Sequence, residues 1–444
     1  MRFSLVSLIS LFFLWGLLTS LNDILVPHMK AAFELQHWQA QLIQFFFFGA
    51  YFVMSWPAGR VIQQVGYKRG IVYGLLLMGL GCFVFYPASE VKVYGLFLLG
   101  LFILASGITI LQVAANPYMA VIGPPETAAS RLNLAQGFNS LGHTIAPLFG
   151  AWLILQNQEE VDVATVQGPY LFLALALVAI GLVFRYLELP KIEYAEPERK
   201  GFSIWRYPHL YLGAIAIFCY VGAEIAIGSF LVEYFKAEPT IALDNKTAGS
   251  HVAFYWGSAM VGRFLGAIAL SGEKTFGQRA LRMLPIPAVA VAVVLAVVRI
   301  NGLPWSMAAG FGVMVGLNYL AFMFGRHTSQ GLLAFFALCC MALLGATMLG
   351  HGEIALWSVL GVGLFNSIMW SNIFTLAIRD LKQYTSMGSS LLVMMIVGGA
   401  VIPLIQGLAA DTALGVKGAF LVPFIAYAYL VFYGLRGWRF SPKG

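Results

Sequence analysis

Long apolar runs, each broken by a short polar or charged turn, fill the chain from end to end. About 20 consecutive apolar residues are enough to cross a bilayer as a helix. Such runs fall at about 5–28, 40–58, 70–87, 92–115, 131–156, 168–188, 208–235 and 250–270. They continue at about 283–299, 303–324, 329–349, 353–377, 385–408 and 415–435. The pattern predicts fourteen spans, with twelve as the alternative, because dropping a single span would invert every later loop. The pair 283–299 and 303–324 is the one in question, since Pro285, Pro287 and Pro304 interrupt it. Between the sixth and seventh runs, Glu188–Tyr207 is the longest charged stretch of the chain. It divides an N-terminal half (1–188) from a C-terminal half (208–444), with 189–207 as a linker.

Charge gives these spans an orientation. With the N-terminus inside, nineteen of the 26 Lys and Arg residues fall on inner segments and six on outer loops, while Arg263 lies within a span. That bias places both termini and the linker in the cytoplasm. Composition agrees: 60% of residues are hydrophobic and 10% charged, with a mean hydropathy of +0.82, whereas soluble domains carry about 25% charged residues. The net charge of +7 is accounted for by an inner positive face, so no nucleic-acid partner is implied. Cys82, Cys219, Cys339 and Cys340 all sit in apolar spans without ligand spacing, and imply neither disulfide nor metal. The first run lacks a small-residue cleavage site, so it reads as a retained helix. No phosphate loop, metal-ligand cluster or nucleophile elbow is present, which points away from an enzyme and from any cofactor.

The informative positions are polar residues inside the apolar runs. An acid at the centre of a membrane helix costs about 2.5–3.5 kcal/mol on insertion scales and marks substrate or ion pathways. Asp23 lies deep in the first run on one helical stripe with Trp15 and Thr19, with Asn22 beside it. Its plainer reading is a capping or snorkelling group near Pro27 and Lys30. Glu224 is a second such acid, one turn after Tyr220; its plainer reading is an ion pair with Arg263. The functional reading gives Asp23 and Glu224 the coupling cation, since burial favours the protonated carboxyl. Sodium near either acid is the other option.

Amides form further stripes: Gln112 and Asn116 before Pro117, then Gln136, Asn139 and His143, and later Asn366 and Trp370 with Asn372 nearby. Any one amide is as readily an interhelical hydrogen bond. Several helices presenting them together suit a polyhydroxylated ligand, because amides both donate and accept while Trp15 and Trp370 cover C–H surface. For His143, a neutral core histidine is the plainer reading.

The halves echo one another. Gly142-x4-Pro147 recurs as Gly398-x4-Pro403, and Phe13–Gly16 parallels Cys219–Gly222. Internal pseudo-symmetry of this kind is a transporter design with its site near midplane. The runs Leu21–Pro27, Gln112–Pro117 and Arg131–Gly142 resemble the fucose permease family of the major facilitator superfamily. Tyr220–Glu224, Asn366–Phe374 and the run beginning at Gly388 are closer to its glucose/galactose and N-acetylglucosamine branch. The resemblance implies an all-α integral membrane protein of two pseudo-symmetric six-helix bundles around a central sugar site. Two extra helices, at about 282–324, are then an insertion in the second half.

It further implies cation-coupled symport of a hexose or N-acetylhexosamine across the bacterial inner membrane, by a chain that functions as a monomer. Gln112 stands where fucose permeases carry a glutamate, and Glu224 where they carry a glutamine; Asp23 matches. Gln64 replaces the aspartate many superfamily members carry after the second span. Export of small amphipathic compounds is the alternative function. A membrane enzyme acting on lipid-linked sugar is disfavoured by loops poor in acids and histidines.

Overall fold

The computed structural model describes residues 2–154, 163–190, 192, 203–243, 245–272, 275–302, 304–325 and 327–440. Most of the charged linker lies outside these residues. So do the side chains of Asn22 and Asp23. Among the described residues the chain is helical throughout, with no strand. A helix satisfies every backbone N–H and C=O within its own segment, which hydrocarbon demands.

The helices of the first half of the sequence are α1 (Arg2–Ala32), α2 (His37–Val65), α3 (Tyr67–Glu90), α4 (Tyr94–Val121), α5 (Ala128–Ile154) and α6 (Gln167–Tyr186). The second half begins with α7 (Pro208–Ala237) and α8 (Asn245–Ala269). Then come α9 (Phe276–Met283), α10 (Pro285–Asn301) and α11 (Trp305–Phe324), followed by α12 (Ser329–Leu349). The last helices are α13 (Gly352–Asn366), α14 (Met369–Ala377), α15 (Thr385–Met394), α16 (Gly398–Ala410), α17 (Gly415–Gly418) and α18 (Leu421–Leu435).

The expectation of fourteen spans is not confirmed. Twelve helices among the described residues are long and apolar enough to cross a membrane, the alternative number. They include Phe276–Ile300 and Trp305–Phe324, the segment in question on sequence grounds. They leave out α5, which carries His, Asn and Gln along its length, and α1, whose apolar stretch spans Leu5–Leu21.

Contacts group the chain into two compact units that do not follow chain order. The first comprises Met1–Ile122, Leu141–Phe202 and Leu381–Val397. Here α3 lies against α4 and α6, and α15 lies against α2. Small residues set these distances: a Cβ on Gly107 of α4 would stand 2.5 Å from the Met78 nitrogen and 2.7 Å from the Gly74 oxygen on α3. Gly142 similarly faces the backbone of Phe13 and Leu17 in α1.

The second unit comprises Gly123–Ser140, Ser203–Asp380 and Gly398–Gly444. Its tight contacts are α7 on α16 through Gly222 and Gly398, α8 on α13 through Gly262 and Gly363, and α12 on α18 through Gly434. The α10–α11 hairpin packs Val298, Met307 and Ala308 against Phe254 of α8. Its other faces, with Val289, Val293, Val313 and Leu317, are exposed as lipid-facing surface is.

The helix-to-helix spacing at Gly107 generates a prediction. Overpacking a close contact costs about 1–3 kcal/mol. Gly107→Leu should therefore lower the thermal unfolding midpoint in detergent clearly. Gly49→Ala, where a Cβ meets nothing within 4 Å, should leave it unchanged or raised.

Candidate substrate and coupling site

In the first unit the polar stripe of α4 is tied to α1 and α2 through a phenol. Gln112 Nε2 donates to Tyr51 Oη at 3.1 Å, and Thr19 also hydrogen-bonds Tyr51. Asn116, one turn on, donates to the Gln112 carbonyl at 3.0 Å, next to Pro117 within the helix. Trp15 is buried against Phe12, with ring centroids 4.0 Å apart. Ser20 donates to the His143 carbonyl at 3.3 Å, so His143 is brought to the same stretch of α1. Gln112, through Tyr51 and Thr19, and His143, through Ser20, thus meet one neighbourhood on α1, with Trp15 one turn before Thr19. Tyr51 is a member of it that the sequence pattern does not mark, since a tyrosine after four phenylalanines reads as core.

The second unit holds a buried charged group of its own. Glu224 on α7 is buried, and its Oε1 lies 3.6 Å from Arg263 Nη2 on α8. The ion pair offered as the plainer reading of Glu224 is present. Arg263 does more than pair: its Nε donates to the Ser367 carbonyl at 3.2 Å, and its Nη1 donates to Ser140 Oγ on α5. One guanidinium therefore connects α5, α7, α8 and the break between α13 and α14. At this separation and an effective dielectric of about 20, the attraction is about 4–5 kcal/mol. Desolvation of two ions costs several kcal/mol each. The two terms are of similar size, so a single added proton or a nearby ligand is enough to rearrange the pair.

A directed chain of hydrogen bonds converges on the same acid. Tyr427 Oη donates to Asn366 Oδ1 at 2.7 Å, Asn366 Nδ2 to Tyr255 Oη at 3.0 Å, and Tyr255 Oη to the Glu224 carbonyl at 3.0 Å. Both ends of the Asn366 amide are occupied by phenols in this state. Asn366 is the last residue of α13, and α14 starts at Met369. The interruption lies within Gly352–Ala377, the most deeply buried of the candidate spans. Helix breaks at membrane depth are tolerated where protein or a polar cavity takes up the freed backbone groups. The Ser367 carbonyl freed here is the one that accepts from Arg263 Nε.

Trp370, also in this stretch, stacks on Phe374 at 5.9 Å, and its indole N–H has no hydrogen-bond partner. Asn372 is fully buried with neither amide atom bonded. Gln136 and Asn139 on α5 are buried close to Ser140 in sequence and belong to this unit. Tyr255, Tyr427, Ser140 and Ser367 are participants the sequence does not flag. Asn22 and Asp23 lie outside the described side chains.

Among the described residues no group of His, Cys, Asp and Glu side chains is arranged to hold a metal ion. The donors present are amides, phenols, an indole, one carboxylate and one guanidinium. That set can donate to and accept from hydroxyl groups and can carry a proton.

Comparison with known proteins fixes the family. Residues 7–395 match the Major Facilitator Superfamily. The chain belongs to that superfamily. A glucose/galactose transporter of Brucella abortus (biovar 1, strain 9-941) is 47% identical, over 98% of this chain and 94% of its own length. The L-fucose-proton symporter of Escherichia coli (strain K12) is 32% identical, over 95% of this chain and 90% of its own. The crystal structure of FucP, a Major Facilitator Superfamily transporter in the outward conformation, superposes with a TM-score of 0.79 at 30% identity. It covers 98% of each chain. The all-helical major facilitator fold and the place among fucose-permease-type proteins, implied by the sequence motifs, are thereby shown.

The Glu224–Arg263 pair makes a stability prediction of definite sign. Arg263→Met leaves a buried carboxylate unpaired, which typically costs about 3–5 kcal/mol. Glu224→Gln combined with Arg263→Met removes both charges and should recover much of that loss. A double-mutant cycle on thermal unfolding in detergent measures it; equal, additive losses from the two changes would contradict the pairing.

Proposed function

We propose that the protein is a proton-coupled importer of a neutral hexose or N-acetylhexosamine, working by alternating access of two bundles, 1–188 and 208–444. It is a secondary sugar transporter rather than an enzyme, in keeping with relatives named as transporters of glucose/galactose and as an L-fucose-proton symporter. The observation that carries the reading is the Glu224 centre. It is a buried acid in an apolar bundle, held by one arginine and surrounded by amides and phenols that both donate and accept.

Glucose or galactose is the favoured cargo, on the strength of the full-length likeness to the Brucella transporter. The coupling ion is the proton. Sodium, the other option on sequence grounds, finds no support among the relatives. Asp23 and Glu224 are the coupling acids. Asn22, Gln112, Asn116, Gln136, Asn139, His143, Asn366 and Asn372 bind the sugar hydroxyls, and Trp15 and Trp370 cover its apolar face. The protein resides in the bacterial inner membrane with both termini cytoplasmic, consistent with the bias of Lys and Arg.

In this cycle a proton neutralises the buried acid, and sugar hydroxyls replace the internal partners of the amides. Protonation of Glu224 releases Arg263 from the pair, and Ser140 and the Ser367 carbonyl keep the guanidinium hydrogen-bonded as the site closes. One charge moving down about 100 mV supplies about 2.3 kcal/mol, so one coupling site is enough for roughly fifty-fold accumulation.

Uptake of labelled glucose, galactose and N-acetylglucosamine into proteoliposomes, under separate proton and sodium gradients, tests the assignment. Concentrative uptake of glucose or galactose under the proton gradient alone is expected, and Asp23→Asn should abolish it. Uptake driven only by sodium would replace the coupling ion. No uptake of any of the three would put export in place of import.

A further inference from the structure

A cavity of about 800 Å³ opens within the first unit. It is walled by the α2–α3 turn, by the chain leaving α6 and by the start of α15. Lys68 and Arg69 both line it, as do Gln63, Ser386, Gln383 and Glu188. The floor is rigid: Tyr67 and Tyr118 stack at 5.5 Å and 17°, and Tyr118 Oη donates to the Pro190 carbonyl at 2.6 Å.

Three features of this cavity are electrostatically unfinished. First, α3 begins here, on Gly66, which has φ 83° and caps the helix with no side chain. The first backbone N–H groups of a helix have no intrahelical acceptor and carry about half a positive charge between them. Second, the first turn of α3 contains Lys68 and Arg69 and no acid. Cations at a helix N-terminus work against the dipole by about 0.3–1 kcal/mol each. Neither forms an ion pair with a described carboxylate. The preceding positions Gln63 and Gln64 are amides, so the turn itself supplies no counter-charge. Third, Ser386 is buried, only 4% exposed, and its Oγ has no hydrogen-bond partner. Among the described residues Glu188 is the one carboxylate on the wall, beside the two cations Lys68 and Arg69.

We propose that this cavity is a binding site for a phosphate-bearing anion, separate from the sugar site. The anion sits over the first turn of α3, takes the backbone N–H groups and side chains of Lys68 and Arg69, and accepts from Ser386 Oγ. Backbone N–H groups at a helix start with adjacent cations are a general phosphate receptor. An occupant bridges α3 to α15, and so braces the arrangement of this unit in which α15 lies against α2. The phosphate comes either from a soluble ion or ester or from the headgroup of an anionic lipid. The chemistry is the same, and the sources separate by experiment.

The test uses the full-length protein purified in a neutral detergent, where both membrane faces are accessible. Thermal unfolding is followed as inorganic phosphate is added, with chloride at matched ionic strength as the reference. The same measurement is made in neutral-lipid nanodiscs with and without phosphatidylglycerol. Saturable stabilisation by inorganic phosphate supports the site with a soluble ligand; stabilisation by phosphatidylglycerol alone supports it with a lipid ligand.

In either case Lys68→Gln with Arg69→Gln should weaken the apparent affinity by about tenfold or more, the loss of two charge-assisted contacts. Gln63→Glu, which changes no shape, should weaken it in the same direction. If the double variant does not fold, Gln63→Glu carries the comparison. The proposal is overturned if neither phosphate nor phosphatidylglycerol stabilises the protein. It is equally overturned if the stabilisation is undiminished in the variants, which marks an adventitious ion only.

Discussion

The cost of holding an ionised group inside an apolar bundle governs the second unit of this protein. Glu224 and Arg263 are both nearly removed from water, 3.6 Å apart. Neither is tolerable there without the other. Around them the chain spends its polar side chains: Ser140 and the Ser367 carbonyl on the guanidinium, and a line of phenol, amide and phenol on the backbone of the acid. The break between α13 and α14 belongs to the same arrangement, because an intact helix would keep the Ser367 carbonyl for itself. Packing follows suit. Gly262 and Gly363 let α8 and α13 approach closely enough for the arginine to reach that carbonyl.

A centre built this way is poised rather than rigid. Its attraction and its desolvation cost are of similar size, so a proton on Glu224 changes which partner Arg263 prefers. The partners it can give up lie on α5 and at the helix break, beside Gln136, Asn139, Trp370 and Asn372. Chemistry at the acid is thus connected to the elements that carry the proposed sugar ligands. This connection is what a symporter needs: the energetics of the ion must be felt where the substrate binds.

Much of this was legible in the residue pattern, and the reasons for the rest are physical. Helical class and membrane placement follow from the apolar runs, since hydrocarbon leaves the backbone no other choice. Glu224 stands out because a carboxylate in such a run is costly, and Arg263, a cation inside another span, is its natural partner. The motif runs from Leu21 to the region of Gly388 carried the family. The number of spans was less readable. Proline-broken 283–299 and 303–324 look marginal by pattern yet form long apolar helices. Tyr51, Tyr255 and Tyr427 were invisible, because a phenol in an aromatic-rich helix looks like any core ring. Their partners lie 31 to 111 positions away along the chain. Only the folded helices bring them together.

The claim that Glu224 couples the ion to the sugar is tested most directly by comparing two transport modes of one variant. Glu224→Gln mimics the protonated acid without changing its size. Exchange of labelled for unlabelled sugar across proteoliposomes needs no net proton movement, whereas accumulation against a gradient does. The account predicts that Glu224→Gln retains exchange and loses proton-driven accumulation. Accumulation at the wild-type level in this variant would show that the proton is carried elsewhere and would contradict the central role given to Glu224.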